Sequence, residues 1–404
     1  MKLSPVVGGT MLVAGTAIGA GMLGLPMISA GMWFYWSCMV LVVSWFCMYR
    51  SSQAILEVNL EFAPGDSFHT LVKNLLGPFW NTLNGLSVAF VLYTLVYAYV
   101  SGGGSVLQHA LTPFLGVEPP RLLTSLFFAL LLVACIWWSS KAVDRFSIIL
   151  MGGMVLALIF SLCGMIGNIR PSLILEENGS PIFIWCAIST YLTSFCFHAS
   201  VPSLVKYMGK DAPTINKCLK YGTLIALFCY FVWISAADGI IPRSEFRDVI
   251  AEGGNVGNLL SAAGANLDNS FVMGFLEAFS LLAVATSFLG AGLGLFDYMA
   301  DLCSFDDSRL GRTKTMLITF APPMICGLIW PDGFLPAIGW AGLAAAIWSV
   351  IVPAMLLRAK RKNYAPRPYT APGGNMLVPI LLCYGILVGV CHILFVFELL
   401  PMYK

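Results

Sequence analysis

Long apolar stretches constrain this chain more than anything else in it. A helix needs about 20 apolar residues to cross a bilayer, and segments of that kind recur about eleven times. They cover residues 5–29, 31–49, 81–109, 121–139, 146–167, 181–205, 217–238, 271–298, 314–330, 334–357 and 376–398. Composition agrees, since 58% of the 404 residues are hydrophobic and 10% are charged, where a soluble domain carries roughly 25% charge. In lipid the backbone must satisfy its own polar groups, as helices or as a closed barrel, and segments of this length select helices. The expectation is an all-α membrane protein forming one transmembrane domain over 1–404. Polar loops separate the spans at 50–80, 168–180, 239–270, 299–313 and 358–375. Within the first loop, Ser67 to Leu76 is apolar at helical spacing but too short to cross, which predicts an amphipathic helix lying at the interface.

Lysine and arginine set the expected orientation. With the N-terminus inside, the cytoplasmic side holds seventeen: Lys2, Arg50, Lys73, Lys141, Arg145, Lys206, Lys210, Lys217, Lys220, Arg309, Arg312, Lys314, Arg358, Lys360, Arg361, Lys362 and Arg367. The other side holds five, Arg121, Arg170, Arg243, Arg247 and Lys404. The N-terminus is therefore expected in the cytoplasm and the C-terminus in the periplasm of a bacterial inner membrane. The first span opens at Pro5 and is long enough to cross, so it is read as a retained span and not as a cleaved signal. A net charge of +2 implies no nucleic-acid partner. The twelve cysteines are scattered through apolar stretches, which argues for free thiols with no metal site and no cofactor.

Two spans are poor continuous helices. The first reads Gly15-Thr-Ala-Ile-Gly-Ala-Gly-Met-Leu-Gly-Leu-Pro26, and four glycines before a proline weaken a helix. The bland reading is small-residue helix packing around Gly15 and Gly19. The sharper reading is a discontinuous helix at the bilayer midplane, with N–H groups and carbonyls of Ile18, Gly19, Ala20 and Gly21 free to hold the two charges of an amino acid zwitterion. The sixth span carries Ser194-Phe-Cys-Phe-His-Ala-Ser-Val-Pro-Ser203, again small and polar residues before a proline. Interruptions at the start of two five-span halves, about 5–167 and 181–357 with an extra helix at 376–398, point to a transporter built from repeats.

The glycine-rich first span, Phe197-His198 with Val201-Pro202-Ser203, and Gly294-Leu-Phe-Asp-Tyr-Met-Ala-Asp-Leu302 resemble the hydroxy and aromatic amino acid permeases. Phe90-Val-Leu-Tyr93, Tyr97-Ala-Tyr99, Gly209-Lys-Asp211, Gly311-Arg312, Thr319-Phe-Ala-Pro-Pro323 and Pro331-Asp-Gly-Phe334 extend the likeness along nearly the whole chain. The tryptophan-specific members look more similar than the tyrosine-specific one. The resemblance implies the 5+5 inverted-repeat fold of the amino acid–polyamine–organocation superfamily, with spans one and six broken, and proton-coupled import. It also implies that the third span lines the substrate site, through Tyr93 and Tyr97, and makes Phe195, Cys196, Phe197 and His198 candidates for the substrate contact.

Coupling is where this chain departs from the family pattern. The family carries a lysine in the fifth span where Met154 stands, and a polar residue in the eighth where Leu281 stands; Glu277 lies one turn before Leu281. Ionisable groups inside a membrane are costly and tend to be functional, so His198 and Glu277 are candidates to carry a proton. The packing alternative for His198, and a solvated vestibule position for Glu277, stand beside that reading. Thr286 and Ser287 are adjacent hydroxyls; in this fold such a pair can complete a sodium site with first-span carbonyls, which leaves sodium symport as the alternative. Asp297 and Asp301 are candidates to pair with Lys206, Lys210 or Arg312 in a gate, against simple interfacial solvation. His69, His109 and His392 are read as structural or solvated, and Ser101-Gly-Gly-Gly-Ser105 as a close-packing stretch. An intramembrane enzyme lacks support, because no H-E-x-x-H or G-x-S-x-G pattern occurs. A channel lacks a charged ring or a repeated filter motif.

Overall fold

A computed structural model describes residues 4–175, 179–365 and 369–403. Lys2, Arg367 and Lys404 of the charge count lie outside the described residues, as does the side chain of Lys141. The elements are helical throughout the described residues. In chain order they are α1 (Pro5–Ala17), a 3₁₀ turn (Ala20–Gly24), α2 (Leu25–Ser29), α3 (Trp33–Asn59), α4 (Phe68–Leu76), α5 (Pro78–Leu115), α6 (Arg121–Trp138), α7 (Ser140–Ile166) and α8 (Pro171–Leu175). The second half continues with α9 (Ile184–Ser194), α10 (Ser200–Met208), α11 (Ala212–Ile240), α12 (Glu245–Ala251), α13 (Val256–Asn266), α14 (Ser270–Leu302) and α15 (Arg309–Ile329). It ends with α16 (Phe334–Ala346), a π turn (Ile347–Ile351), α17 (Val352–Asn363) and α18 (Leu377–Val396).

Among the described residues, eight helices are long and apolar enough to cross a membrane, and α1 with the turn and α2 form a ninth span bent by 43°. The pair α9–α10, broken over residues 195–199, and α15, whose first turn carries Arg309 and Arg312, complete the eleven expected. Five spans per half is an odd number, so the second half enters the membrane from the opposite side to the first. The packing follows that inversion. Span three (α5) lies along span ten (α16), and its counterpart span eight (α14) lies along span five (α7). Spans three and eight also pack on each other, span one packs on span seven, and span six packs on span two.

Two segments differ from the sequence reading. The second span runs ten residues beyond 49, because the polar residues that lower its hydropathy are buried and paired. Gln53 donates to Asn216 at 2.8 Å. Glu57 accepts from Arg361 at 2.8 Å and from the Ala371 amide at 2.7 Å. The 239–270 loop contains α12 and α13, which bury Phe246, Val249, Leu259 and Leu260 and cap one end of the bundle. Of the two roles expected for His392 the structural one is seen: it is buried in α18, with Nδ1 3.1 Å from the Ser189 hydroxyl. The amphipathic α4 forms as expected, capped by Ser67 and burying Leu71 and Val72. The glycine run of α5 is a packing surface, where a Cβ on Gly102 would stand 2.6 Å from the Phe334 ring.

The two ends of the bundle differ. At the end away from the N-terminus, Ser101 donates to Asn255 at 3.1 Å, Asn255 to Asp332 at 2.5 Å, and Arg121 to the Ser101 carbonyl at 2.8 Å. The Gly257 amide at the start of α13 donates to Ser105 at 2.8 Å, tying that helix down over α5. At the N-terminal end, Gly290, Gly294, Asp297 and Asp301 are exposed along one stripe of α14. Their spacing of three and four places them on the face of Thr286 and Ser287, away from the exposed stripe of Phe271, Gly274 and Ala278 higher up. The first end is sealed by these bonds; toward the other, the open end, an exposed stripe of α14 runs from below Ser287.

Candidate functional site

The first-span break falls where the glycines put it. Helix α1 stops at Ala17; Ile18 takes ψ 109°, and Gly19 is fully extended at φ −163° and ψ −158°. A helix that stops mid-membrane leaves carbonyls and amides that must find partners, and side chains of other spans take up four of them. The Ala17 carbonyl accepts from the Tyr230 hydroxyl at 2.5 Å, the Gly21 carbonyl from Ser194 at 3.1 Å and the Met22 carbonyl from the Trp233 indole at 2.9 Å. The Ala20 amide donates to the Ser287 hydroxyl at 3.0 Å.

The sixth-span break lies directly against the first. Tyr230 bonds the Ser194 carbonyl at 2.6 Å as well as that of Ala17, so one hydroxyl from α11 pins both broken helices. The chain then turns through Phe195, Cys196, Phe197 and His198 before α10 resumes at Ser200. Phe195 packs on Tyr230 with ring centres 5.0 Å apart, and Phe197 on His198 at 4.9 Å; both phenylalanines are fully buried, while Cys196 between them is partly exposed. His198 is buried against Phe197 and, edge-on, Trp348, and neither ring nitrogen has a hydrogen-bond partner among the described residues.

The structure therefore brings together Ile18, Gly19, Ala20, Gly21, Phe195, Cys196, Phe197, His198 and Ser287. It does not bring Tyr93 and Tyr97 to them. Those two do share a face of α5, but that face is turned to α15: Tyr93 donates to the Ile318 carbonyl at 2.8 Å and Tyr97 to that of Trp330 at 2.9 Å. The third-span contribution at the breaks comes from Tyr99, whose hydroxyl reaches Ser287 and which lies beside Cys196. Tyr99, Ser194, Tyr230 and Trp233 escaped the sequence reading. A polar-tipped aromatic deep in an apolar span usually has a partner, and that signal was present for Tyr230 and Trp233, three apart in α11.

Thr286, the sodium candidate, bonds its own helix and lies against a sulfur. Its hydroxyl donates back to the Leu282 carbonyl at 2.8 Å and contacts the Met154 sulfur at 3.6 Å. Met154 is buried, and a thioether is a poor ligand for a hard cation. Glu277 lies one-quarter exposed near the sealed end, where Oε1 is 3.1 Å from Nδ1 of His109 on α5; His109 is thus paired and not merely solvated. Lys206, Asp297 and Asp301 are exposed toward the N-terminal end. Arg312 is held elsewhere, by Asp307 at 2.6 Å and by the carbonyls of Ile136 and Trp137 at the end of α6.

The family model for tryptophan/tyrosine permeases matches residues 2–392. Tryptophan-specific transport proteins of Pseudomonas aeruginosa and Shigella flexneri are 47% and 45% identical over 403 residues, covering 99% of this chain and 97% of each relative. A tyrosine permease of Enterobacter agglomerans is 36% identical over 412 residues, covering 100% of this chain and 99% of that relative. A mutant manganese transporter of Eremococcus coleocola superposes with a TM-score of 0.62 at 12% identity, over 98% of this chain and 88% of that one. That last likeness is one of fold.

Proposed function

Because the chain belongs to the tryptophan/tyrosine permease family, we propose that it imports an aromatic amino acid, tryptophan ahead of tyrosine, by proton symport. The coarser statement needs no proposal: it is a multi-pass membrane permease for aromatic amino acids, related to proteins named as transporters and not to enzymes. One observation supports the finer reading: the two broken helices meet with Gly19, Gly21 and Cys196 left partly exposed between them, and this reading takes that gap as the substrate pocket. Such a pocket can receive a carboxylate and an ammonium together without charged side chains.

In this reading Ile18 to Gly21 hold the substrate backbone. Cys196 and Tyr99 face the pocket, and Phe195 and Phe197 form the wall against which the aromatic ring packs. The halves 5–167 and 181–357 work as two repeats of one domain, with the C-terminal helix added. The lysine and arginine bias supports placing the N-terminus and the open end in the cytoplasm and the C-terminus in the periplasm, so the structure stands in the inward-open state. Lys206, Asp297 and Asp301, exposed toward the N-terminal end, are the gate of this reading.

In favour of the proton over sodium as the coupling ion, a thioether lies against Thr286 and the Ala20 amide already occupies Ser287. His198 and Glu277 are the titratable groups of this reading. Counterflow in proteoliposomes tests the transport class, since a carrier exchanges labelled for unlabelled tryptophan and a channel does not. Excess tyrosine should compete strongly and leucine or alanine weakly, because burying a ring outweighs burying a small side chain. Equal competition by leucine would reject the aromatic pocket.

A further inference from the structure

Asp238 is the one wholly buried carboxylate of the described residues that no other group satisfies. It lies in the last turns of α11 with no exposed surface, and neither carboxyl oxygen has a hydrogen-bond partner among the described residues. The other fully buried acid, Glu57, is held by Lys360, Arg361 and the Ala371 amide. Asp238 therefore stands apart. An ionised carboxylate without a counter-charge is far more expensive in such a place than the neutral acid.

Its surroundings are built from the parts that must move. Two titratable groups face it, Cys38 on α3 and Tyr191 on α9. Both are neutral, and the Tyr191 hydroxyl faces Ser29 of α2 and Ser37 of α3 without closing a hydrogen bond. Of the cations in the adjoining segments, Arg170 donates to the Ile240 carbonyl and the Asn266 side-chain oxygen, and Arg243 donates to the Ala30 and Gly31 carbonyls. Spans one, two, six and seven thus meet around a single acid, on the sealed side of the helix breaks. Asp238 is eight residues from Tyr230 along α11, or about 12 Å at 1.5 Å per residue.

We infer that Asp238 is a proton-binding site of the transport cycle, and that its neutralisation by a proton from the sealed side is the condition for sealing that side. This inference rests on the proton-symport reading and names a residue for it. Alternating access rocks one bundle against the other. When α2 and α9 withdraw from α11, water reaches the carboxylate. A proton from that side then binds one carboxyl oxygen, the charge is lost, and the helices can close over the neutral acid; the proton leaves toward the open end, along α11 past Tyr230, once substrate has been delivered there. A variant that is always neutral closes without a proton and carries substrate uncoupled.

Two measurements on the purified full-length protein test this. Infrared spectra of the wild type at neutral pH should contain a protonated-carboxyl C=O band that is lost in Asp238→Asn; a spectrum unchanged by the substitution overturns the inference. In proteoliposomes, Asp238→Asn should keep tryptophan counterflow within about twofold of wild type while proton-driven accumulation falls at least about tenfold. A variant that accumulates like the wild type overturns it. Should Asn abolish both activities, Asp238→Glu, which retains the carboxyl group, must recover proton-driven accumulation; a folded Glu variant that fails to do so counts against the site. A wild type with no tryptophan counterflow would instead reject the permease reading, and the infrared result would still decide the protonation of Asp238.

Discussion

Gly19→Ala probes the geometry of the first break. Gly19 is in extended backbone that any residue adopts, so the cost of a side chain there is steric alone. A Cβ would stand 2.7 Å from the Ser287 hydroxyl oxygen, about 1 Å inside a normal contact of about 3.5–4 Å. Ser287 must rotate away, and the Ala20 amide then loses its 3.0 Å hydrogen bond in the middle of the membrane. Leaving that donor unsatisfied costs about 1–2 kcal/mol, which is about 5- to 30-fold in affinity if the pocket needs this arrangement. Equilibrium binding of labelled tryptophan to purified protein measures it. Gly21→Ala is the control: its Cβ meets the nearest atom, Ser194 Cα, at 3.4 Å, and affinity should stay within about threefold of wild type. Adding Ser287→Ala to Gly19→Ala should cost little beyond Ser287→Ala alone, because both remove the same bond. Wild-type affinity in Gly19→Ala, or a larger loss in Gly21→Ala, would refute the placement of the break against Ser287.

Tyr230→Phe removes the hydroxyl that pins both broken helices and should cost about 1–3 kcal/mol, read as a lower thermal midpoint in detergent and weaker tryptophan binding. Glu57→Ala leaves the buried Lys360 with Glu61 alone and frees Arg361 and the Ala371 amide; it should destabilise the fold by about 1–3 kcal/mol, seen as a lower thermal midpoint in detergent. Thr286→Ala should leave proton-driven uptake within about twofold of wild type, because its hydroxyl bonds only its own helix and the Met154 sulfur; a collapse of uptake would revive the sodium reading.

The breaks were legible because glycine and proline weaken a helix wherever they fall, and the spans because lipid demands length and apolarity. Partnership between distant spans was not. Tyr93 and Tyr97 share a face by spacing, yet spacing does not say which neighbour that face meets, and the face toward the breaks carries Tyr99. Glu57 looked like loop because polarity lowers local hydropathy, and only the packing of α17 beside α3 reveals that its charge is paired. Glu277 and His109 are 168 residues apart, so their pairing depends on how α5 crosses α14. Asp238, at the predicted end of a span, reads as an interfacial acid until α2, α3 and α9 are seen to cover it.

Accumulation of labelled tryptophan in sodium-free proteoliposomes under an imposed inward proton gradient tests the central claim most directly. Proton symport predicts a concentrative overshoot that vanishes when the gradient is collapsed and that an added sodium gradient does not enlarge. Uptake that ignores the proton gradient and appears only with inward sodium would contradict the account.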